Sequence, residues 1–204
     1  MKELIEKGLE NAMSYPAYRQ LLTDLLAEGK TTGPNQSDFY IEIAKLNQRR
    51  MDRLDKRVKL SEALEQQLKS LQKSYLLLTL TEGWCGDAAQ SMPVINQLAE
   101  NSDKVELKVV LRDEHTALMD QFLTDGGRSI PKVIVLDTET NEVLGAWGPR
   151  PAPAQKLAMD YKYKPVPKEP YEEFNVALHT WYARDKTQTT QSELLNLFST
   201  LEEQ

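Results

Sequence analysis

Residues 75–87 read Tyr75-Leu76-Leu77-Leu78-Thr79-Leu80-Thr81-Glu82-Gly83-Trp84-Cys85-Gly86-Asp87. The first seven form an apolar run of strand length and β-leaning composition, which predicts a buried strand over Tyr75–Thr81. Gly83 breaks it. Helical spacing then sets in over Asp87–Asn101, with Ala88, Met92, Ile95 and Leu98 on one face. Cys85 therefore falls where a strand ends and a helix begins. The first turn of a helix has unpaired N–H groups and a partial positive charge, which favour a thiolate over a thiol.

Working outward toward the C-terminus, Val105–Leu111 reads as a second strand and His115–Leu123 as a helix. Pro131–Asp137 is a third strand, Thr138–Glu142 a turn, and Val143–Trp147 a fourth strand that closes a hairpin. Pro151–Tyr161 opens another helix, with prolines where missing N–H groups do no harm. The first two strands need a crossover and are expected to be parallel, while the last two are antiparallel. This predicts an α/β fold: a mixed sheet with flanking helices.

The flanks of this core, residues 72–163, read as helical extensions. In residues 1–71, Leu4, Ile5 and Leu9 mark a short first helix. A second runs from about Tyr18, with Leu21, Leu22, Leu25 and Leu26 on one stripe, and stops at Gly29. Gly33-Pro34 punctuates a polar loop. Asp38 then caps a long helix carrying Ile41, Ala44, Met51, Leu54 and Val58. Its other side bears Arg49, Arg50, Arg53, Lys56 and Arg57, either an anion-binding stripe or a solvated face offset by Asp52 and Asp55. Ser61–Leu71 continues as a helical segment. In residues 164–204, a proline-rich connection over Lys164–Pro170 leads to helices broken near Thr187–Thr190.

Composition limits the functions. With 40% apolar residues the 204-residue chain can bury a real core, and a net charge of −6 argues against a broad nucleic-acid surface. No apolar run approaches the roughly 20 residues that span a bilayer, and Met1-Lys2-Glu3-Leu4 does not begin a signal peptide, so no membrane role is expected and the cytoplasm is the expected compartment. A single cysteine excludes an intramolecular disulfide and a four-cysteine metal site, and no metal site is expected.

The stretch around Trp84-Cys85-Gly86 resembles the thioredoxin family. Pro93-Val94-Ile95 follows at the spacing where that family places a helix-kinking proline. Ser129-Ile130-Pro131-Lys132-Val133-Ile134-Val135 is similar to its segment carrying the cis-proline beside the active site, and Gly145 and Gly148 fit its final hairpin and substrate loop. The resemblance covers about Tyr75 to Tyr161. It implies a thioredoxin-like fold with Cys85 at the redox-cysteine position.

Two departures from the family pattern bear on mechanism. The position of the usual second cysteine, three residues on, is Ala88, so no neighbouring thiol can resolve a mixed disulfide. The position of the family's buried acid is Thr79. Dithiol turnover is thus not expected; the chemistry left is that of a monothiol, by mixed disulfide with glutathione or a partner cysteine, or by sulfenic acid formation. Asp87 suits the helix dipole but, as a nearby negative charge, opposes a thiolate.

Topology brings further residues to the carboxyl edge of the sheet, where ligands of open α/β sheets bind. The second strand ends at Arg112-Asp113, the third begins after Arg128-Ser129-Ile130-Pro131, and the fourth ends at Trp147-Gly148-Pro149-Arg150. Arg112, Arg128 and Arg150 converge there as a cationic rim for carboxylates, or are each neutralised by Asp113, Asp125 or another acid. If the bond before Pro131 is cis, the Ile130 backbone is left free to pair with an extended ligand. His115 reads as a surface residue at a helix start, and Phe174 and Trp181-Tyr182 as packing residues of the C-terminal helices. His115 and His179 share no metal-ligand spacing. Gly126-Gly127 is too short for a phosphate loop and suits a turn.

Two functional expectations follow. In the first, Cys85 is a monothiol redox or sensing site, an oxidoreductase if it turns over, with no resident cofactor, glutathione as candidate co-substrate and a protein or small thiol as partner. In the second, the chain is a non-catalytic binding module whose groove between Trp84, Ile130-Pro131 and Trp147 takes a peptide or small anionic ligand.

Overall fold

The computed structural model describes residues 1–203; the last residue of the expected C-terminal helical region, Gln204, lies outside them. Four helices come first: α1 (Lys2–Glu10), α2 (Tyr15–Ala27), α3 (Asp38–Asp55) and α4 (Glu62–Ser70). The core follows as β1 (Tyr75–Thr81), α5 (Gly86–Glu100), β2 (Val105–Leu111), α6 (Thr116–Met119), β3 (Lys132–Asp137) and β4 (Val143–Trp147). Helices α7 (Ala152–Tyr163), α8 (Tyr171–Asp185) and α9 (Gln188–Glu202) complete the chain.

The sheet order is β2-β1-β3-β4, with β1 parallel to β2 and the other pairs antiparallel. All seven residues of β1 are buried, as an interior strand with both faces covered demands. Alternation along the strands assigns those faces. On one, Gly8 of α1 lies so close to Leu78 and to Leu118 of α6 that an added Cβ would sit 3.3 and 3.2 Å from them. On the other, Phe198 of α9 meets Tyr75 edge-on at 5.4 Å. Helix α9 also covers β4, while α3 packs along α5.

The outer edge of β2 is closed by the α1–α2 connection. Met13 and Val109 exchange both backbone hydrogen bonds, at 2.9 and 2.8 Å. One hydrophobic cluster runs from Ile5 and Tyr18 through β1 and β3 to Phe198 and Leu201, so the terminal helices share the core of the sheet. A fully buried Leu side chain there contributes about 1.5–3 kcal/mol, which makes the sheet the rigid support of its carboxyl edge. Helices α7 and α8 form a smaller cluster of their own around Ala154, Leu178 and Tyr182.

Several expected boundaries change. Helix α2 begins at Tyr15, because Ser14 caps it with a hydroxyl that accepts from the Ala17 N–H at 3.3 Å. Ser37, not Asp38, is the N-cap of α3, and Asp38 is its first residue. The expected helix over His115–Leu123 is one turn, α6. After it Arg128 takes Asp120, and a tight turn with Asp125 and Gly126 at positive φ closes Thr124 onto Gly127. His115 caps α6 as a buried residue, and burial lowers its pKa.

Candidate functional site

The segment leading to Cys85 is fixed by the N-terminal helical region. The Thr32 hydroxyl accepts from the Gly83 N–H at 2.8 Å, and the Asn47 amide of α3 donates to the Gly83 carbonyl at 3.0 Å. A Cβ on Gly83 would stand 2.6 Å from the buried Leu22 Cδ2, so a side chain there would force Leu22 to shift. Glu82, fully buried, accepts at 2.9 Å from the Asp113 N–H and so ties the end of β2 to the end of β1. Burial raises its carboxyl pKa.

Cys85 is the N-cap of α5 and only 8% exposed. Its Sγ donates to the Ile130 carbonyl at 3.1 Å and accepts from the Ala88 N–H at 3.4 Å. Burial, and next the Asp87 charge, push the thiol pKa up to about 12, against the helix N–H and Arg150. Desolvation outweighs the helix end here, so the group is a neutral thiol.

Beside it opens a groove of about 320 Å3. Trp84, Tyr40 and Tyr171 supply aromatic walls, while Ser129 and Ile130 form one side. Tyr40 meets Trp84 edge-on at 5.3 Å, and the Arg112 guanidinium stacks 4.7 Å from the Trp84 ring centre. The Ile130–Pro131 peptide is cis, and pairing of β3 with β1 begins only at Lys132, so the sheet leaves the Ser129–Ile130 backbone unpaired. Pro131 itself is buried behind the groove. Gly148 passes over it at φ +104, where a Cβ would stand 2.3 Å from the Pro131 carbonyl oxygen.

Arg112, Arg128 and Arg150 all line this groove, and each is also paired. Arg112 bonds Asp113 at 2.7 Å and the Arg128 carbonyl at 3.2 Å. Arg128 holds Asp120 through two bonds of 2.6 and 2.7 Å, and Arg150 donates to Asp87 at 2.6 Å. Asp125 pairs with none of them; it accepts from Gln155. Trp147 is not brought to the groove. Its indole N–H donates to Glu193 of α9 at 2.8 Å, because the end of β4 faces that helix.

Helix α8 brings Tyr182, expected as a packing residue, to the site together with Tyr171 and His179. The Tyr182 hydroxyl donates to Asp87 at 2.7 Å, and Tyr171 reaches the groove. His179 contacts the Gln90 amide through Nδ1 at 3.2 Å, while its Nε2 lies 2.8 Å from where a Gly86 Cβ would be. Burial, and next Arg50, lower its pKa to about 4, so the ring is neutral. Arg50 of α3 also approaches Gly86, holding Asn47 at 2.8 Å. The signal for α8 was present: Tyr171, Asn175, Leu178, His179 and Tyr182 recur at helical spacing on one face.

Among the described residues no group of His, Cys, Asp and Glu could hold a metal ion, and no helix is long and apolar enough to cross a membrane.

No curated protein matches the chain. Among solved structures, a protein of unknown function from Pseudomonas aeruginosa is similar at 19% identity and a TM-score of 0.57, over 92% of this chain and 98% of that one. An HIV epitope-scaffold is similar at 19% identity and a TM-score of 0.54, over 92% of this chain and 99% of that one. At such identity these likenesses show the fold alone. A family model described as Thioredoxin matches residues 33–162, more than half of the sequence. The chain belongs to the thioredoxin family.

Proposed function

We propose that the chain is a non-catalytic binding module that takes a short acidic peptide in the groove beside Cys85. The observation that carries this reading is the state of the thiol: it is buried, neutral and spent on a hydrogen bond to Ile130, while the groove beside it keeps its recognition groups. Trp84, Tyr40 and Tyr171 offer apolar contact. The Ser129 backbone and the Ile130 N–H, which the sheet does not pair, offer strand-like hydrogen bonds. The Arg128–Asp120 pair lies in solvent, where ion pairs contribute little, so a ligand carboxylate exchanges with Asp120 at small cost. The buried Arg150–Asp87 pair stays closed.

Calorimetry with reduced glutathione and with the thiol-free tripeptide Glu-Ala-Gly tests this. Both ligands are expected to bind wild type and Cys85→Ser alike. Absence of binding by both, or binding abolished by Cys85→Ser, overturns it.

The monothiol reading rests on Cys85 lining the groove. There, the Cys85 thiolate attacks oxidised glutathione, forming one mixed disulfide and expelling one reduced glutathione thiolate. Stoichiometric glutathionylation of the folded protein, seen by mass spectrometry, would select that reading. A lone free thiol suits a reducing compartment, in keeping with the cytoplasm.

A further inference from the structure

A second cavity, also about 320 Å3, lies where the end of α3 meets the turn between α8 and α9. Its walls carry four cations, Arg53, Arg57, Lys59 and Lys186, and no carboxylate. Among the described residues none of the four makes a salt bridge or a side-chain hydrogen bond. The acids expected to offset Arg53 and Arg57 are engaged elsewhere: Asp52 and Asp55 both hold Arg19 of α2. The nearest acid on the turn, Asp185, is spent on the Thr189 N–H and hydroxyl.

Like charges are therefore gathered around a concave space without internal compensation, which favours an anion entering it. The rest of the lining is different in kind: Leu54, Val58, Ala183 and Tyr182 contribute to it, and the Tyr182 hydroxyl is committed to Asp87. Lys186 and Thr187 line it in left-handed conformations, φ 52° and 70°, immediately before the amino end of the 15-residue α9. A volume of this size is at the low end for small-molecule sites. Cationic and apolar side chains lining one cavity match one chemistry. Arg binds phosphate in bidentate fashion, and the apolar lining takes an apolar or aromatic body.

We infer that this cavity is a second binding site, for a small organic phosphate whose phosphate meets Arg53, Arg57, Lys59 and Lys186 while its apolar body rests on Leu54 and Val58. It is separate from the groove at Cys85 and does not depend on what that groove binds.

The test is a titration of the full chain with AMP, adenosine and inorganic phosphate, followed by calorimetry and by 1H–15N NMR shifts. AMP is expected to bind about tenfold or more tightly than either half alone, with shifts at Lys186, Thr187 and Thr190. Arg57→Ala, at an exposed position, is expected to weaken AMP by about tenfold, while Arg49→Ala, exposed but outside the cavity, leaves it unchanged. The inference is overturned if millimolar AMP does not bind, if inorganic phosphate binds as well as AMP, if Arg57→Ala has no effect, or if the shifts map to the Cys85 groove.

Discussion

Asp87 and Arg150 form an ion pair of 2.6 Å beneath α8, with the Tyr182 hydroxyl on the second carboxylate oxygen at 2.7 Å. This pair joins α5, the loop after β4 and α8, and it sets the electrostatics of Cys85 from two sides. Asp87 opposes the thiolate and Arg150 favours it, so the closed pair leaves burial to decide.

Asp87→Asn would leave Arg150 as a buried charge with its partner removed. A loss of about 3 kcal/mol in unfolding free energy is expected in urea denaturation. The same change removes a charge that raises the Cys85 pKa, so alkylation of the folded variant is expected to shift to lower pH.

His179 makes stability depend on pH. Its folded pKa is lowered to about 4 from an ordinary 6.5. The unfolded chain binds the proton first as pH falls, so stabilisation present above pH 6.5 is lost progressively toward pH 4. The full span is about 3 kcal/mol. Urea titrations across this window are expected to show that slope in wild type and a flatter one in His179→Gln.

The two tryptophans near the sheet edge have separate roles. Trp84→Ala is expected to weaken peptide binding by about tenfold, because the ring is a groove wall and the seat of Arg112. Trp147→Phe removes the bond to Glu193, and is expected to lower stability by about 1 kcal/mol with binding unchanged.

Gly148→Ala forces a Cβ toward the Pro131 carbonyl at a φ of +104°. A stability loss of about 1–3 kcal/mol and weakened peptide binding are expected, read by thermal unfolding and calorimetry.

The sheet was legible because its signals are local. β1, β2 and β4 coincide with their apolar runs, and alternation with a crossover dictates the mixed pairing. The meeting of Arg112, Arg128, Ile130 and Cys85 at one edge followed from strand direction alone. Tertiary choices were not legible. The face of α8 bearing His179 and Tyr182 is visible as a period, but nothing in the period names α5 as its partner. Likewise Asp52 and Asp55 sit beside Arg53 and Arg57 in sequence, yet pair with Arg19 across the α2–α3 contact. Trp147 turns to α9 for the same reason: its donor found Glu193. The helix end promised an activated Cys85, and burial in the folded chain, which no local signal announces, reversed the sign.

The state of that thiol is the centre of the account, and the rate of iodoacetamide labelling against pH measures it most directly. In the folded protein the rate is expected to be still rising at about pH 10 without a plateau, while the urea-unfolded chain titrates near the free-thiol value of about 8.5. Rapid labelling of the folded protein with a midpoint at or below about 8.5 would contradict it and make Cys85 an activated thiol.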